Sequence, residues 1–465
     1  MCEAVCVRQL ETNPVLAIIG RHRQAGTALG GSSVGLEGKV EVMNRRWLAA
    51  LVAAAFMITA NAFEASAQGS QSDDWLNFDQ SGDSRDQTSR GQALGSEVEV
   101  QPEQGFPTLA KENVTAAKNA IKQYAEIVAR GGWAQLPPIE LRTGMSHPAV
   151  IQLRKRLQAT GDLQAFGGNP DVYDSYVENA VRTAQRRHGL PATGFLDHDT
   201  ILELNVPAVA RLRQLRINLP RLQTSSAAVP AGKYVAANIP SVQIEAINNN
   251  QVVSRHTGVV GKPDRPSPLV NSAIEEINFN KDWFVPPTVL KSDLLGEAHK
   301  KGKDALLAHK IDVYTDFAGY QKGQRIDPDT IDWNSDAPLH LFYVQNGGPE
   351  NPLGFVKLNF ASPHHVYMHD TAAPSIFSKA FRAESSGCVR VQGIHRLVAW
   401  LLEDNGWTVQ QVMRMKDTGE KLNIRLKKKV PLFWVYITGW ATQDGTVEFR
   451  RDIYRRDDSQ VASAY

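Results

Sequence analysis

The period of the hydrophobic pattern changes once along this chain of 465 residues, near position 233. Before that point apolar residues recur every three or four positions, as in "NVTAAKNAIKQYAEIVARGG" at 113–132, which predicts amphipathic helices. After it, short runs such as "SAIEEINFN" and "GFVKLNF" alternate apolar and polar residues, which predicts strands. Because helices and strands that occupy separate stretches of a chain give α+β folds or separate domains, we predict an α+β multidomain protein.

The bulk composition excludes few classes of protein or partner. Hydrophobic residues make up 42% and charged residues 22% of the sequence, as is usual for soluble globular proteins. The formal net charge is +2, which gives no argument for nucleic acid or for an anionic membrane as a partner. We therefore expect no nucleic-acid partner.

A basic and then apolar stretch begins at Met43. Arg45 and Arg46 precede an apolar run at 47–60, and the small-residue triplets "ANA" and "ASA" follow it. The run is shorter than the roughly 20 residues that span a bilayer, so we predict a signal peptide at 43–67 and no stable membrane span after its cleavage. A buried helix or a membrane anchor is the alternative. Because signal peptides stand at the N-terminus, we expect residues 1–42 to be a gene-model extension.

Processing of that kind leaves one cysteine in the chain. Cys2 and Cys6 both precede the predicted cleavage site, so Cys388 has no partner for an internal disulfide. An unpaired thiol in an oxidising compartment is a liability unless it is buried or used in chemistry.

Composition and period also divide the rest of the chain. A stretch rich in Ser, Gln, Asp and Gly predicts a disordered linker, and helical and strand-like stretches follow it. The predicted segments are the linker at 68–105, a helical scaffold segment at 106–140, a small all-α unit at 141–205, a connecting helix or linker at 206–232, a mostly-β domain at 233–420 with a helical capping insertion at about 288–338, a C-terminal hairpin at 421–458 that completes this region, and a tail at 459–465.

The segment 363–406 combines a strand, a loop and a helix. The strand "HVYMHD" delivers His369 at its end, and the loop that follows ends in "SSGC" with Cys388. A free thiol is mostly protonated at neutral pH, so a nucleophilic cysteine needs a base, and histidine is the natural one. The backbone N–H groups of Gly387 and Cys388 are candidate donors to an oxyanion. By spacing alone, catalysis and a packed cysteine are about equally supported.

These motifs resemble the L,D-transpeptidase family of bacterial cell-wall enzymes. The family signature is a His at a strand end, a loop, and then Ser-(His or Ser)-Gly-Cys-(Val or Ile)-Arg, which here is His369 followed by "SSGCVR" at 385–390. The stretches "VGKPDRPSPLVNSAIEEINFNKDWFVPP", "NPLGFVKLNF" and "YITGWATQDGTVEFRRDIY" resemble its large periplasmic subgroup, which carries a capping insertion. "LRKRLQATGDL", "AVRTAQRRHGL" and "TGFLDHDTILELN" resemble the three-helix peptidoglycan-binding domain, with a helical spacer as the alternative.

The resemblance implies a function and a set of residue roles. It implies a periplasmic, wall-associated enzyme that joins the third residues of peptidoglycan stem peptides through an acyl-enzyme on Cys388, with release of terminal D-Ala. His369 would be the general base, the backbone carbonyl of Asp370 would orient the imidazole, and the N–H of Gly387 would face the oxyanion. The implied substrate-binding residues are Arg390, Tyr367, Trp283 and Ser386. The resemblance implies no metal and no other cofactor, and it implies that carbapenems acylate the cysteine.

Several alternatives stay open at this point. The acceptor of the acyl group could be water, as in an L,D-carboxypeptidase, a free D-amino acid, or a protein amine. A peptidoglycan-binding scaffold without catalysis is the rival from another functional class. Tyr367 and Trp283 could be core aromatics, Arg390 could form a structural salt bridge, and Ser386, which stands where many relatives carry His, could be a turn residue.

Overall fold

The computed structural model describes residues 105–164, 168–379 and 381–459. The predicted extension at 1–42, the signal peptide at 43–67, and nearly all of the linker at 68–105 and of the tail at 459–465 lie outside these residues. Within the described ranges, no helix is long and apolar enough to cross a membrane.

Helices form the first part of the described chain, as the periodicity predicts. Helices α2 to α4 enclose a core of their own, which includes Leu153, Tyr173 and Val181. Two of the three begin at an aspartate whose side chain accepts a backbone N–H of the first turn, Asp174 for α3 and Asp197 for α4. The helices are α1 (Asn113–Ala129), α2 (Ala149–Ala159), α3 (Ser175–Arg187), α4 (His198–Leu204) and α5 (Ala208–Ala228).

The strands that follow form a sheet that closes on itself. The strand order is β11-β3-β12-β10-β9-β4-β13-β1-β2, and β2 also pairs with β3. Eight strands therefore make a closed ring, and β11 pairs with β3 from outside that ring. These strands are β1 (Tyr234–Asn238), β2 (Gln243–Asn248), β3 (Gln251–Gly261), β4 (Val270–Phe279), β9 (Val356–Phe360), β10 (Met368–His369), β11 (Ala383–Ser385), β12 (Val389–Val391) and β13 (Leu422–Val435).

Two antiparallel hairpins are present, and one of them is the predicted C-terminal hairpin. β2 and β3 pair in antiparallel fashion around Asn249 and Asn250, whose φ angles are +51° and +61°. Asparagine tolerates this left-handed conformation better than most residues, so the sequence favours a tight turn at this place. The second hairpin joins β14 (Gly439–Ala441) to β15 (Val447–Phe449).

The insertion between β4 and β9 contains a sheet as well as the predicted helices. Its four strands are ordered β5-β8-β6-β7, and β8 lies beyond the predicted limit of about 338. The strands are only two to four residues long, and runs of that length carry too little alternation to be read from sequence. The elements are β5 (Trp283–Phe284), α6 (Pro287–Val289), a π-helical turn (Leu290–Leu294), α7 (Leu295–Lys301), α8 (Lys303–Ala308), β6 (Ile311–Tyr314), α9 (Phe317–Gln321), β7 (Arg325–Ile326) and β8 (Phe342–Gln345).

Helices α10 (Ile394–Leu401) and α11 (Val409–Thr418) follow the segment that contains Cys388, and α12 (Arg456–Ser459) ends the described chain. The apolar side chains of α10 that the sequence places at helical spacing, among them Leu397 and Val398, are buried in the main core of the closed sheet. The predicted helix after the cysteine loop is therefore confirmed.

A buried arginine of the helical unit, Arg187, contacts the C-terminal hairpin. Arg187 donates from Nε and Nη2 to the two carboxylate oxygens of Asp162, each at 2.5 Å. Its third nitrogen, Nη1, donates to the carbonyl of Val447 at 3.3 Å. Arg450 of the hairpin segment donates to the carbonyl of Arg187 at 3.0 Å. The side chains of Arg187 and Asp162 are 5% and 3% exposed, so each charge depends on the other for the solvation that it has lost. The ion pair within the helical unit thus holds the arginine whose hydrogen bonds join this unit to the C-terminal hairpin.

We expect Asp162→Ala to lower the free energy of unfolding by about 3–5 kcal/mol, because the substitution leaves the buried guanidinium of Arg187 without its counter-ion. Chemical denaturation measures the change. Lys429→Ala is the matched control, since Lys429 forms an exposed pair with Glu275, and little or no change is expected there. Equal effects of the two substitutions would contradict the assignment of Arg187 and Asp162 as a buried structural pair.

Candidate active site

Three neighbouring strands of the closed sheet place three basic residues side by side. On β10, His369 lies opposite Lys357 of β9 and opposite Arg390 of β12. The preceding residue, Met368, lies opposite Leu358 and belongs to the hydrophobic core. Because successive side chains of a strand point to opposite faces, Lys357, His369 and Arg390 share the face that is turned away from this core. We call these three residues the basic row.

The imidazole of His369 is buried and neutral. Burial lowers the pKa of His369 to about 3, and the positive charges of Arg390 and Lys357 act in the same direction. The Nδ1 atom lies 2.6 Å from the backbone carbonyl oxygen of Asp370, which can only accept a hydrogen bond. In the tautomer that donates to this carbonyl, the single proton of the neutral ring lies on Nδ1 and Nε2 keeps its lone pair for use as a base. The carbonyl of Asp370 has the orienting contact that the family resemblance implies.

The thiol of Cys388 lies one position before the strand that carries Arg390. Burial raises the pKa of the Cys388 thiol above its ordinary value. The backbone N–H of Tyr367 donates to Sγ at 3.4 Å, and it acts in the opposite direction together with the charges of Arg390 and Lys357. The resting pair is thus a neutral thiol and a neutral imidazole, so a thiolate has to be generated by proton transfer to a base.

The turn before Cys388 is held by a buried hydroxyl. Ser385 donates from Oγ to the carbonyl of Cys388 at 2.6 Å, and it accepts the N–H of Gly387 at 3.2 Å. Gly387 has a φ of +107°, and the nearest atom that an added Cβ would meet, in the side chain of Val366, is 3.5 Å away. The glycine is required for its backbone conformation and not because of crowding.

The same contacts bear on the predicted oxyanion donors. The N–H of Gly387 is directed at Ser385 Oγ, which corrects the expectation that this N–H faces the reacting carbonyl. The N–H of Cys388 has no hydrogen-bond partner among the residues that the structure describes. The available backbone donor at the nucleophile is therefore that of Cys388.

A second hydroxyl links the cysteine turn to the C-terminal segment. Ser267 donates from Oγ to the carbonyl of Gly387 at 2.8 Å, and it accepts the N–H of Gly261 at 2.9 Å. The hydroxyl of Tyr454 donates to the carbonyl of Gly261 at 2.5 Å and accepts the N–H of Ser267 at 3.2 Å. Residues far apart in sequence thus fix the backbone on both sides of the nucleophile.

The capping insertion contacts this turn through one arginine. Arg265 donates from Nη1 to the hydroxyl of Ser386 at 3.1 Å and to the carboxylate of Asp293, in the π-helical turn, at 2.9 Å. Ser386 is exposed, so its hydroxyl faces the gap between the cap and the closed sheet. The position where many relatives carry His therefore contacts the cap in this protein.

The remaining predicted binding residues fall into two groups. Tyr367 is half-buried beside Cys388, and the ammonium of Lys357 lies 3.5 Å from the centre of its ring. Trp283 is only 8% exposed, because β5 places it in a small core with Val289 and Leu353. Trp283 is thus a core aromatic of the insertion, which corrects its assignment as a residue of the substrate pocket.

Sequence reasoning missed several members of the site. Lys357 lies in a strand with ordinary alternation, where a lysine on the polar face is expected to point into solvent. Ser267 and Arg265 are distant in sequence, and no local pattern distinguishes them. Ser385 received no predicted role, although its position directly before Ser-Gly-Cys is a usable signal for a hydroxyl that caps the turn.

Across the described ranges of the chain, no group of three or more His, Cys, Asp or Glu side chains is arranged to hold a metal ion.

Comparison with known families agrees with this geometry. Residues 232–424 match the family described as the L,D-transpeptidase catalytic domain, and residues 146–204 match the family described as a putative peptidoglycan binding domain. Residues 232–424 are thus similar to L,D-transpeptidase catalytic domains. The matched segment contains the basic row, Cys388 and the whole capping insertion, so the α+β multidomain fold and the family resemblance are confirmed.

One curated relative is a "Putative L,D-transpeptidase" of Haemophilus influenzae, which is 27% identical over 223 residues. The match covers 48% of this chain and 44% of that protein, so it spans less than half the length of either. Solved structures that this chain matches include an L,D-transpeptidase of Xylanimonas cellulosilytica. It is 13% identical with a TM-score of 0.21, and the match covers 65% of this chain and 98% of that one. An L,D-transpeptidase of Stackebrandtia nassauensis is 10% identical with a TM-score of 0.23 and covers 65% and 97%.

We expect Ser385→Ala to lower kcat/KM by about 10-fold or more, since it leaves the N–H of Gly387 and the carbonyl of Cys388 without their partner. Steady-state kinetics and thermal unfolding of the variant measure the effect. Ser378→Ala is the matched control, because the Ser378 hydroxyl bonds only within its own exposed turn. A Ser385→Ala enzyme as active as the control would show that this hydroxyl does not position the nucleophile.

We expect the rate of alkylation of Cys388 by iodoacetamide to rise with pH across about pH 6 to 9, because burial raises the pKa of this thiol. His369 should add no break near its ordinary pKa of about 6.5, because a ring whose pKa is lowered to about 3 is neutral on both sides of that pH. A step in the alkylation rate near pH 6.5 that is present in the wild type and absent in His369→Gln would contradict the neutral resting state of His369.

Proposed function

We propose that this protein is an exported L,D-transpeptidase that cross-links peptidoglycan stem peptides through the third residue of the donor stem. The observation that carries the proposal is the placement of His369, whose Nδ1 lies 2.6 Å from the Asp370 carbonyl, whose ring burial keeps neutral, and whose strand lies beside the Cys388 segment. A base in this state removes a thiol proton without first having to lose one of its own. The L,D-transpeptidase domain and the peptidoglycan-binding domain both support peptidoglycan as the substrate.

Acylation begins when Nε2 of His369 takes the proton of the Cys388 thiol and Sγ attacks the carbonyl carbon of the third stem residue. The developing oxyanion accepts a hydrogen bond from the backbone N–H of Cys388, which has no other acceptor among the described residues. The peptide bond to terminal D-Ala then breaks, and the imidazolium returns its proton to the departing amine. The products of this half-reaction are free D-Ala and a thioester on Cys388.

The second half-reaction transfers the acyl group to an amine. The side-chain amine of a neighbouring stem attacks the thioester carbonyl, His369 accepts the proton that this nitrogen loses, and the sulfur leaves and regains a proton from the imidazolium. The same thioester would be hydrolysed if water reached it first, which would make the enzyme an L,D-carboxypeptidase. A free D-amino acid or a protein amine would enter by the same route.

The two cations of the basic row support this chemistry. Lys357 and Arg390 both favour a negative sulfur over a neutral one, and both disfavour an imidazolium. Thiolate and oxyanion are the negative charges that develop during acylation, so the field of the row favours both of them, while it disfavours the imidazolium that forms beside them. A peptidoglycan-binding scaffold without catalysis has no use for this arrangement.

Export through the signal peptide at 43–67, a periplasmic and wall-associated location, and acylation of Cys388 by carbapenems are parts of the same proposal. Each follows from the proposed substrate, because cross-linking of the wall takes place outside the cytoplasm.

We expect Cys388→Ala to abolish both cross-linking and release of D-Ala, because the thioester cannot form without the sulfur. Mass spectrometry of purified muropeptides after incubation with the enzyme measures dimers, trimmed tripeptides and exchanged products in one assay. Dimers joined through third residues support the transpeptidase, and tripeptides alone support the carboxypeptidase.

Two reagents supply the control for this experiment. Thiol alkylation and a carbapenem should each stop the reaction and add their mass to the wild-type protein only, whereas a chelator should leave the activity unchanged. Cross-links formed by Cys388→Ala, or activity lost to the chelator, would contradict the proposed mechanism.

A further inference from the structure

Two members of the basic row carry charges that the protein does not balance. Among the residues that the structure describes, no acidic side chain forms a salt bridge within 4.0 Å of Lys357 or Arg390, and neither side chain forms a hydrogen bond with another of these residues. The Nε atom of Arg390 is buried without a hydrogen-bond partner. Removal of a cation from water costs free energy unless a counter-ion compensates for it, so this pair of charges requires an explanation.

The nearby carboxylates are engaged elsewhere. Glu276 and Glu384 influence Lys357 and Arg390 through their charge, but Glu276 lies within 3.7 Å of Arg425 and Glu384 within 3.1 Å of Lys379. The row therefore presents net positive charge on the side of the sheet where the Cys388 thiol lies. A substrate that brings its own carboxylate to this place would supply the missing counter-ion.

The position of Lys357 is fixed by the ring of Tyr367. Its ammonium lies 3.5 Å from the ring centre, at a distance typical of a cation–π contact. The backbone N–H of the same tyrosine donates to Sγ of Cys388 at 3.4 Å. Lysine, tyrosine and cysteine are thus joined by direct contacts, and the ammonium is held near the reacting sulfur before any ligand binds.

The geometry of the leaving group matches this placement. In the proposed reaction His369 returns a proton to the amine nitrogen of the donor's terminal residue. In that residue only one carbon separates the amine nitrogen from the free carboxylate, so the nitrogen and the carboxylate carbon are about 2.5 Å apart. Neighbouring strands lie about 4.8 Å apart, so a carboxylate this close to His369 is within reach of a long side chain on the next strand.

We propose that Lys357, with Arg390 on the other side of His369, binds the free carboxylate of the donor's C-terminal residue and so selects stems that end one residue after the scissile bond. This inference rests on the proposed function, since it assigns a ligand to the same site. In a stem that is longer by one residue, the terminal carboxylate lies about 3.8 Å farther along the peptide. An uncharged peptide group then lies at Lys357 in place of the carboxylate.

Two donors that differ only in this group test the proposal. One is the tetrapeptide stem with a free terminal carboxylate, and the other is the same stem with a terminal amide, which keeps the size and removes the charge. We expect the wild-type enzyme to be acylated by the free acid about 10- to 100-fold more efficiently than by the amide, the range expected for a hydrogen bond between charged groups. Mass spectrometry of the acyl-enzyme gives kcat/KM for acylation.

Lys357→Gln should remove most of this preference, with a large loss for the acid and a small one for the amide. The small loss measures the general effect of the charge on the thiol, and the difference between the donors isolates the contact with the carboxylate. Lys357→Arg should restore part of the preference. Lys427→Gln is the matched control, since Lys427 is an exposed lysine on β13, and it should behave as the wild type. An equal loss for both donors in Lys357→Gln would overturn the proposal.

Binding without turnover separates this inference from the proposed function. Calorimetry of the two stems with Cys388→Ala, with and without Lys357→Gln, measures the preference for the carboxylate when no chemistry takes place. A wild-type enzyme that neither donor acylates would contradict the proposed function, and the calorimetry would still decide the carboxylate site. Equal affinities for acid and amide in Cys388→Ala would overturn the inference while leaving transpeptidation intact.

Discussion

The register of three short strands determines the chemistry of this protein. β10 is two residues long, and it lies between β9 and β12 with His369 opposite a lysine on one side and an arginine on the other. The register is set by the other face, where Met368 packs with Leu358 and Val389 in the core. A slip by one residue would turn the histidine into the core and the methionine toward the substrate, so the apolar packing protects the position of the base.

The same register accounts for the charge state of the site. Burial and the two neighbouring cations keep His369 neutral, while the cations oppose the effect of burial on the Cys388 thiol. The thiol and the imidazole are both neutral in the resting enzyme, so no reactive thiolate stands ready before the reaction. The two cations favour the thiolate once the proton is transferred. The arrangement leaves unbalanced positive charge beside the thiol, and a carboxylate of the substrate is the natural group to balance it.

Distant parts of the chain support this centre. The hydroxyls of Ser267 and Tyr454 link the cysteine turn to the end of the closed sheet, and Arg265 links it to the capping insertion. In the helical unit, Arg187 is paired with the buried Asp162 and donates to the carbonyl of Val447 in the C-terminal hairpin. The helical unit is therefore packed against the hairpin and does not depend on a free linker for its position.

Local patterns predicted a large part of this structure. The hairpin at Asn249 and Asn250, the strand that ends at His369, and the helix after the cysteine loop all depend on residues close together in sequence, and all three are present. The sheet of the insertion was missed because its strands are short, and Trp283 was placed in the pocket although strand pairing buries it. The N–H of Gly387 was assigned to the oxyanion, but the hydroxyl of Ser385 already accepts it.

The sequence by itself determined which residues can do the chemistry, because the cysteine after a glycine turn and the histidine at a strand end carry the reactive groups wherever they are placed. Only the tertiary structure decided their electrostatic state. Lys357 and Arg390 lie 12 residues before and 21 residues after His369 in the chain, and the pairing of strands brings both to its sides. Charge acts through space and not along the sequence, so the neutral base and the unbalanced cations beside the thiol become apparent only when the sheet is closed.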